Sequence, residues 1–317
     1  MSERRVTPGS PEAYARSTGN GTGGLPYVRL LGAQLAIGAA AIFARFALAG
    51  AGPLAVSALR LGIAALAMLA FAGVLQKISA RREFALGIAG FALAVHFAAW
   101  IASLLYTSVA ISTLLVTTTP LWTELYEVVR ERRAPARSFF TSLGLAFSGG
   151  ALIVLHHSVT PAPIPGRALV GDALALLGSI ALGTYLLIVR DSGARHAQPL
   201  ATQQIVARTY SWAALALVLG AVAAHEPAPR LTAVDAWLGI LAMALVSQLL
   251  GHTALNAALR DFSPSTIALS TLLEPVIAGL LAAALFGEAL GPAAIAGGAL
   301  VLAAIAITLR RTAGFRP

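Results

Sequence analysis

Three sets of residues, polar or aromatic except for Leu104, recur at four-residue spacing within otherwise apolar stretches. They are His96, Trp100 and Leu104; Gln248, His252 and Asn256; and Gln204, Arg208 and Trp212. That spacing places each set on one helix face. Imidazole, amide and indole groups on an apolar wall suit recognition of a small ligand with a polar and an aromatic part. The alternative is interhelical hydrogen bonding that holds a bundle together. Enzymatic chemistry fits poorly. The chain has no cysteine, which excludes disulfides, thiolate metal sites and thiol catalysis. The one acid pair on a shared face, Glu124 and Glu127, sits beside Arg130, Arg132 and Arg133 and reads as a snorkelling salt-bridge cluster. His156 and His157 stand apart from any acid. No Gly-x-x-x-x-Gly-Lys-Ser/Thr loop occurs. No metal, no cofactor and no ATP use are expected.

Glu274 is the most centrally placed acid, near the middle of a long apolar run and immediately before Pro275. Arg45, Arg60 and Arg208 are the basic residues inside such runs. An ionisable group at that depth is costly and usually faces a bundle interior or a wet cavity. Glu274 could pair with Arg60 or Arg208, or bind a ligand ammonium. Arg208 could bind a carboxylate or serve as the structural partner of Glu274. Arg45 and Arg60 read as structural intramembrane charges. Thr117, Thr118 and Thr119 precede Pro120, just as Ser270, Thr271 and Glu274 precede Pro275. An internal proline removes a donor and displaces the carbonyl four residues back. Neighbouring hydroxyls can satisfy what is freed. Thr119 is counted with the ligand-binding candidates, and Pro120 and Pro275 are candidate hinges.

The elements carrying these residues must be membrane helices. Of 317 residues, 58% are hydrophobic and only 11% charged, with a mean hydropathy of +0.80. About 20 apolar residues cross a bilayer. Spans are expected at about 28–48, 53–75, 84–105, 108–128, 138–155, 169–189, 200–223, 234–255, 264–286 and 292–309, joined by short loops. Residues 1–27 are polar, lack an apolar signal core and read as a flexible tail. Residues 312–317 form a second short tail.

The net charge of +9 is a topology signal and does not indicate nucleic acid. Seventeen of the 22 basic residues fall in alternate loops or tails on one side, while Arg167 and Arg230 alone fall on the other. The positive-inside rule places both termini in the cytoplasm, in a bacterial inner membrane whose anionic leaflet is the partner of those charges.

The ten spans read as two copies of five. Residues from Leu86 align with those from Leu238 at a shift of 152, and Ser108–Pro120 aligns with Ser263–Pro275 at a shift of 155. An odd number of spans per copy inverts the second copy, giving a pseudo-two-fold axis in the membrane plane. The expected repeats are 28–155 and 169–311, divided by the proline-rich linker 156–168. The fold class is all-α, with ten transmembrane helices around a central cavity. Fusion of the repeats already supplies a two-fold axis, which is compatible with a monomer.

Pro53 and Arg60, Ser108 and Pro120, and Ser263-Pro-Ser followed by Leu273-Glu274-Pro275 and Gly287-Glu288 together resemble the EamA-type transporters of the drug/metabolite transporter superfamily, over residues 28–311. The His96/Trp100 face is most similar to the aromatic amino acid exporters of the YddG type. The resemblance implies ten helices, inverted repeats, a shared cavity and export of amino acids or related metabolites. The first span carries Gln34 and no acid, unlike small multidrug relatives that couple export to protons there.

The expected function is therefore export of amino acids, aromatic or large apolar, by alternating access. The binding set would be His96, Trp100, Thr119, Gln204, Arg208, Trp212, Gln248, His252 and Glu274. A carrier of another solute on the same fold (a nucleotide-sugar, a polyamine, a cationic drug) is the alternative. A nucleotide-sugar would want more deep cations, and a polyamine more deep acids.

Overall fold

The computed structural model describes residues 24–107, 109–132, 134–135, 137–157, 167–193, 196, 198–286 and 291–314. Most of the N-terminal tail lies outside the described residues, as do Ser108, Arg133, Arg195, Gly287, Glu288, Arg316 and most of the proline-rich linker.

Every regular element among the described residues is helical. The first half of the chain forms α1 (Leu25–Gly38), α2 (Ala40–Leu48), α3 (Pro53–Ala72), α4 (Ala80–Ser103), α5 (Val109–Val116), α6 (Thr119–Glu131) and α7 (Arg137–His157). The second half forms α8 (Ala168–Ser192), α9 (Thr202–Ala223), α10 (Val234–Ala242), a π-helical run (Met243–His252) and α11 (Thr253–Ala258). After these come α12 (Pro264–Ser270), a 3₁₀ turn (Thr271–Leu273), α13 (Glu274–Phe286) and α14 (Pro292–Gly314). Among the described residues, six helical stretches are long and apolar enough to cross a membrane: Leu25–Leu48, Pro53–Ala72, Ala80–Ser103, Ala168–Ser192, Thr202–Ala223 and Val234–Ala258.

Local sequence sets the helix ends. Ser79 caps α4, its Oγ accepting the Arg82 N–H at 3.3 Å. Ser263 caps α12 by accepting the Thr266 N–H at 3.1 Å, with Pro264 in the first turn, where its missing donor costs nothing. The start of α3 is capped from a distance. Glu226, after α9, accepts the N–H groups of Leu54 at 2.9 Å and Ala55 at 3.0 Å. A carboxylate there also suits the helix dipole. Gly73 ends α3 at φ +61°, a conformation that favours glycine.

Both internal prolines follow a break. α5 ends at Val116 and α6 begins at Thr119. Three hydroxyls close carbonyls at the break: Thr117 to Leu114 (2.9 Å), Thr118 to Leu115 (2.7 Å) and Thr119 to Val116 (2.9 Å). The last carbonyl is the one Pro120 frees. Before Pro275 the chain tightens into the 3₁₀ turn, and the Glu274 N–H bonds to the Thr271 carbonyl that the proline leaves unserved. Ser270 and Thr271 close the carbonyls of Ile267 and Ala268. Compensation by hydroxyls is thus as expected, but the feature is a helix break one turn ahead of each proline.

The helices pack through small residues. A Cβ on Gly239 would lie 2.6 Å from the Ala47 nitrogen and the Phe43 carbonyl, and one on Gly90 would lie 2.7 Å from the Thr209 carbonyl. Backbones therefore touch where α10 crosses α2 and α9 crosses α4. α3 packs on α9 and α7 on α14. α4 and α5 pack on α8, while the π-helical run and α13 pack on α1. A large apolar cluster runs from Leu30 through Phe97, Tyr185 and Tyr210 to Phe262. A smaller one joins Phe139 and Leu143 to Leu272, Ile277 and Val301.

Candidate functional site

At the meeting of the two halves is a narrow cavity with a free volume of about 20 Å³, room for about one water. Its apolar wall is Ile37, Ala40, Phe97, Trp100, Val116, Leu182 and Leu255. Its polar groups are Arg60, His96, Thr117, His252, Thr271 and Glu274. The cavity is built from helix irregularities as well as faces. Thr117 comes from the α5–α6 break, Thr271 and Glu274 from the 3₁₀ turn and the start of α13, and His252 from the end of the π-helical run. Discontinuous helices bring backbone and polar side chains to a buried site in this way.

Arg60 is fully buried. Its guanidinium carbon lies 3.9 Å from the centroid of the Phe97 ring, a cation–π contact. Its Nε donates to Gln248 Oε1 at 2.9 Å. Nη1 and Nη2 have no hydrogen-bond partner. Glu274 is the acid on the cavity wall, and no hydrogen bond joins it to those nitrogens. The site thus holds a cation and an acid, each open to a ligand. Leaving such donors buried and unmatched is costly.

Imidazoles and an indole fill the space between. His96 Nδ1 lies 2.9 Å from the Gly178 carbonyl. A carbonyl can only accept, so Nδ1 carries the proton. A neutral ring then presents Nε2 as an acceptor. His96 stacks parallel to Trp100, with centroids 6.5 Å apart. His252 packs edge-on to Phe97 at 5.2 Å and to His96 at 6.5 Å. The Nδ1 of His252, the Nε1 of Trp100 and the Nε2 of Gln248 are buried without partners. Asn256, the third residue of that face, is taken up by structure. It donates to the His252 carbonyl and accepts from Tyr185 Oη at 2.8 Å.

Four expected site residues lie elsewhere. Gln204 donates to the carbonyls of Ala72 and Val74 and accepts the Gln76 N–H, so it straps the loop after α3. Arg208 is paired with Glu83 at 3.0 Å and bonded to Gln204 and the Gln76 carbonyl. It does not meet Glu274. Trp212 is 42% exposed and donates to Glu83. These residues share the expected face, but that face meets the end of α3 and the start of α4. Thr119 is buried against α8, where Thr118, Thr119 and Trp122 converge on the hydroxyl of Ser179. Its methyl and hydroxyl are spent on packing.

Arg60 lies at the cavity, unlike Arg208. Read from sequence as a structural intramembrane charge, it lines the cavity. Arg45 lies on an exposed face of α2. Phe97 and Leu182 were missed because an apolar residue carries no sequence signal for a site. Glu127 pairs with Arg190 of α8, both buried, and accepts from Ser265 at 2.8 Å. Arg130 of the same helix as Glu127 pairs with Asp191, which also lies 3.2 Å from the Nε of Arg190. Among the described residues no three His, Cys, Asp or Glu side chains converge as metal ligands.

The EamA-like transporter family model matches the chain twice, over residues 25–155 and 169–310. None of the curated proteins matches the chain. A solved structure titled only "Crystal structure of protein" is similar in fold. Its TM-score is 0.72 at 16% identity, with 92% of this chain and 99% of that one covered.

Proposed function

The chain belongs to the EamA-like transporter family, and from that premise we propose that it carries aromatic or large apolar amino acids out of the cell. Family membership makes it a multi-pass membrane carrier of small metabolites. The narrower reading is carried by one observation: Arg60 and Glu274 line the same aromatic-walled cavity with their terminal groups open to a ligand. A zwitterion brings a carboxylate for Arg60 Nη1 and Nη2 and for Gln248 Nε2, and an ammonium for Glu274. Charge-assisted bonds of this kind are the strong ones. Phe97, Trp100 and the His96–His252 pair form a slot for a ring.

The architecture we infer is ten transmembrane helices in two inverted repeats, with both termini cytoplasmic in a bacterial inner membrane. The helix pairings support it. Exchanging each span with its counterpart five spans on maps the α3–α9 and α7–α14 contacts onto themselves. The same exchange maps the packing of α4 and α5 on α8 onto that of the π-helical run and α13 on α1. The proline-linked breaks exchange likewise. Transport proceeds by rocking of the halves about the cavity, with α5–α6 and α12–α13 as moving parts. The cavity is too narrow here for an amino acid, so binding requires it to widen.

Uptake of labelled Trp, Phe and Thr into liposomes containing the purified protein tests the function, with and without a pH gradient. Saturable uptake preferring Trp and Phe is expected, and the pH arm separates proton coupling from facilitated diffusion. Folded protein that takes up none of the three would overturn the amino acid reading and leave the family assignment intact.

A further inference from the structure

An amino acid held between Arg60 and Glu274 leaves one buried donor unanswered. Besides His252 Nδ1, where a neutral ring can present a lone pair instead of a proton, four N–H-bearing atoms around the cavity lack a partner, and three of them are Arg60 Nη1, Arg60 Nη2 and Gln248 Nε2. They belong to side chains bonded to each other, so one carboxylate, with two oxygens and about four lone-pair positions, can serve them all. The fourth is Trp100 Nε1. Trp100 is 6% exposed, lines the cavity and has no acceptor in the protein. Arg60 sits over Phe97. Trp100 follows three residues further along α4, a rise of about 4.5 Å. A carboxylate docked on the guanidinium therefore leaves the indole N–H beside the ligand's side chain.

An indole nitrogen can only donate. An aromatic side chain without an acceptor, such as that of phenylalanine, would bury this donor unmatched. A ring bearing an oxygen would satisfy it. Sites that hydrogen-bond a substrate hydroxyl reject the analogue lacking it far more strongly than apolar pockets reject an extra methylene.

We propose that Trp100 is the specificity-determining residue of the cavity and selects aromatic amino acids whose ring carries an oxygen acceptor, tyrosine-like in preference to phenylalanine-like. The proposal rests on the cavity being an amino acid site. His96, stacked on the indole and bonded to Gly178, positions it.

The test is competition for uptake in liposomes. Unlabelled tyrosine, phenylalanine and 4-methylphenylalanine compete against labelled phenylalanine, for wild-type protein and Trp100→Phe. The methyl compound matches the phenol in size without an acceptor. The expected result is that tyrosine competes about tenfold better than either of the others in wild type. Trp100→Phe, which keeps the aromatic wall, levels the three. A wild-type ratio near one overturns the proposal, whether or not the variant folds. So does a tyrosine preference that survives in Trp100→Phe, because the acceptor is then read elsewhere. If phenylalanine is transported with no discrimination, the amino acid reading stands and this inference falls. If none of the three is carried, both fall.

Discussion

Arg60 of α3 and Gln248 of the π-helical run are joined by a 2.9 Å hydrogen bond across 188 residues of sequence. This bond ties the two halves together at the cavity. It also fixes the guanidinium plane, leaving Nη1 and Nη2 free. A buried cation without a bonded acid costs stability, and apolar groups of similar volume often replace such charges at no cost or with a gain. Arg60→Met should therefore fold, with a melting temperature in detergent equal to or above wild type. Uptake should fall by about tenfold or more. A drop in melting temperature with normal uptake would make Arg60 structural.

Glu274 separates recognition of the ammonium from that of the carboxylate. In Glu274→Gln, amino acid uptake should fall about tenfold or more, because a charge-assisted bond becomes a neutral one. Inhibition by 3-phenylpropionate, which keeps the ring and carboxylate but lacks the ammonium, should be unchanged or stronger. Equal losses for both ligands would mean that Glu274 shapes the cavity without contacting the ammonium.

Much of the fold is legible in the sequence because the bilayer leaves few alternatives. Apolar runs of span length must be helices, and the matched prolines mark where two of them break. The site is only half legible. Arg60 and Arg208 both lie near the start of an apolar helix, α3 and α9. One faces the cavity and the other is claimed by Glu83 and the loop at Gln76. That choice depends on how far α3 and α9 rotate about their axes, which is set by contacts such as Gly90 against Thr209. The π-helical run is also hidden. Four-residue spacing cannot show that hydrogen bonds over Met243–His252 have shifted to i+5. Nothing local in the sequence signals that Arg190, 63 residues on, arrives beside Glu127.

That Glu127–Arg190 pair is buried on both sides and linked to α12 through Ser265. Removing Glu127 leaves the buried Arg190 with only the partly exposed Asp191, 3.2 Å from its Nε, and should cost about 1–3 kcal/mol. Glu127→Ala should lower the melting temperature sharply. Glu127→Leu with Arg190→Met should recover most of the loss. Thermal unfolding of the singles and the double measures the coupling. Additive losses would rule out a direct pair.

Glu226 acts as a helix cap supplied from the far half of the chain. Glu226→Ala frees two N–H groups at the start of α3 and should cost about 1 kcal/mol, as loss of a cap does. Glu226→Gln should cost less, since its oxygen still accepts. Gly52→Ala should mimic Glu226→Ala, because a Cβ there would clash with the Glu226 carboxylate. Hydrogen exchange at Leu54 and Ala55 reads the effect directly. Unchanged protection in Glu226→Ala would show that the cap is not formed.

Pro275 holds the 3₁₀ turn that sets Thr271 and Glu274 on the cavity wall. Without an N–H it cannot bond the Thr271 carbonyl, so the Glu274 N–H takes that carbonyl and the helix tightens. Pro275→Ala restores a donor and lets α12 and α13 join as one continuous helix. The variant should be at least as stable as wild type, since a helix-breaking residue has gone. Its cost should fall on the transport cycle. A continuous helix turns Glu274 away from Arg60 and stiffens the element proposed to move, so the maximal uptake rate should drop more than the apparent affinity. Pro120→Ala should do less, because Thr117, Thr118 and Thr119 already close the carbonyls at that break. Initial-rate uptake across a concentration series separates the two effects. A wild-type maximal rate in Pro275→Ala would mean that the break shapes the resting cavity but takes no part in the motion.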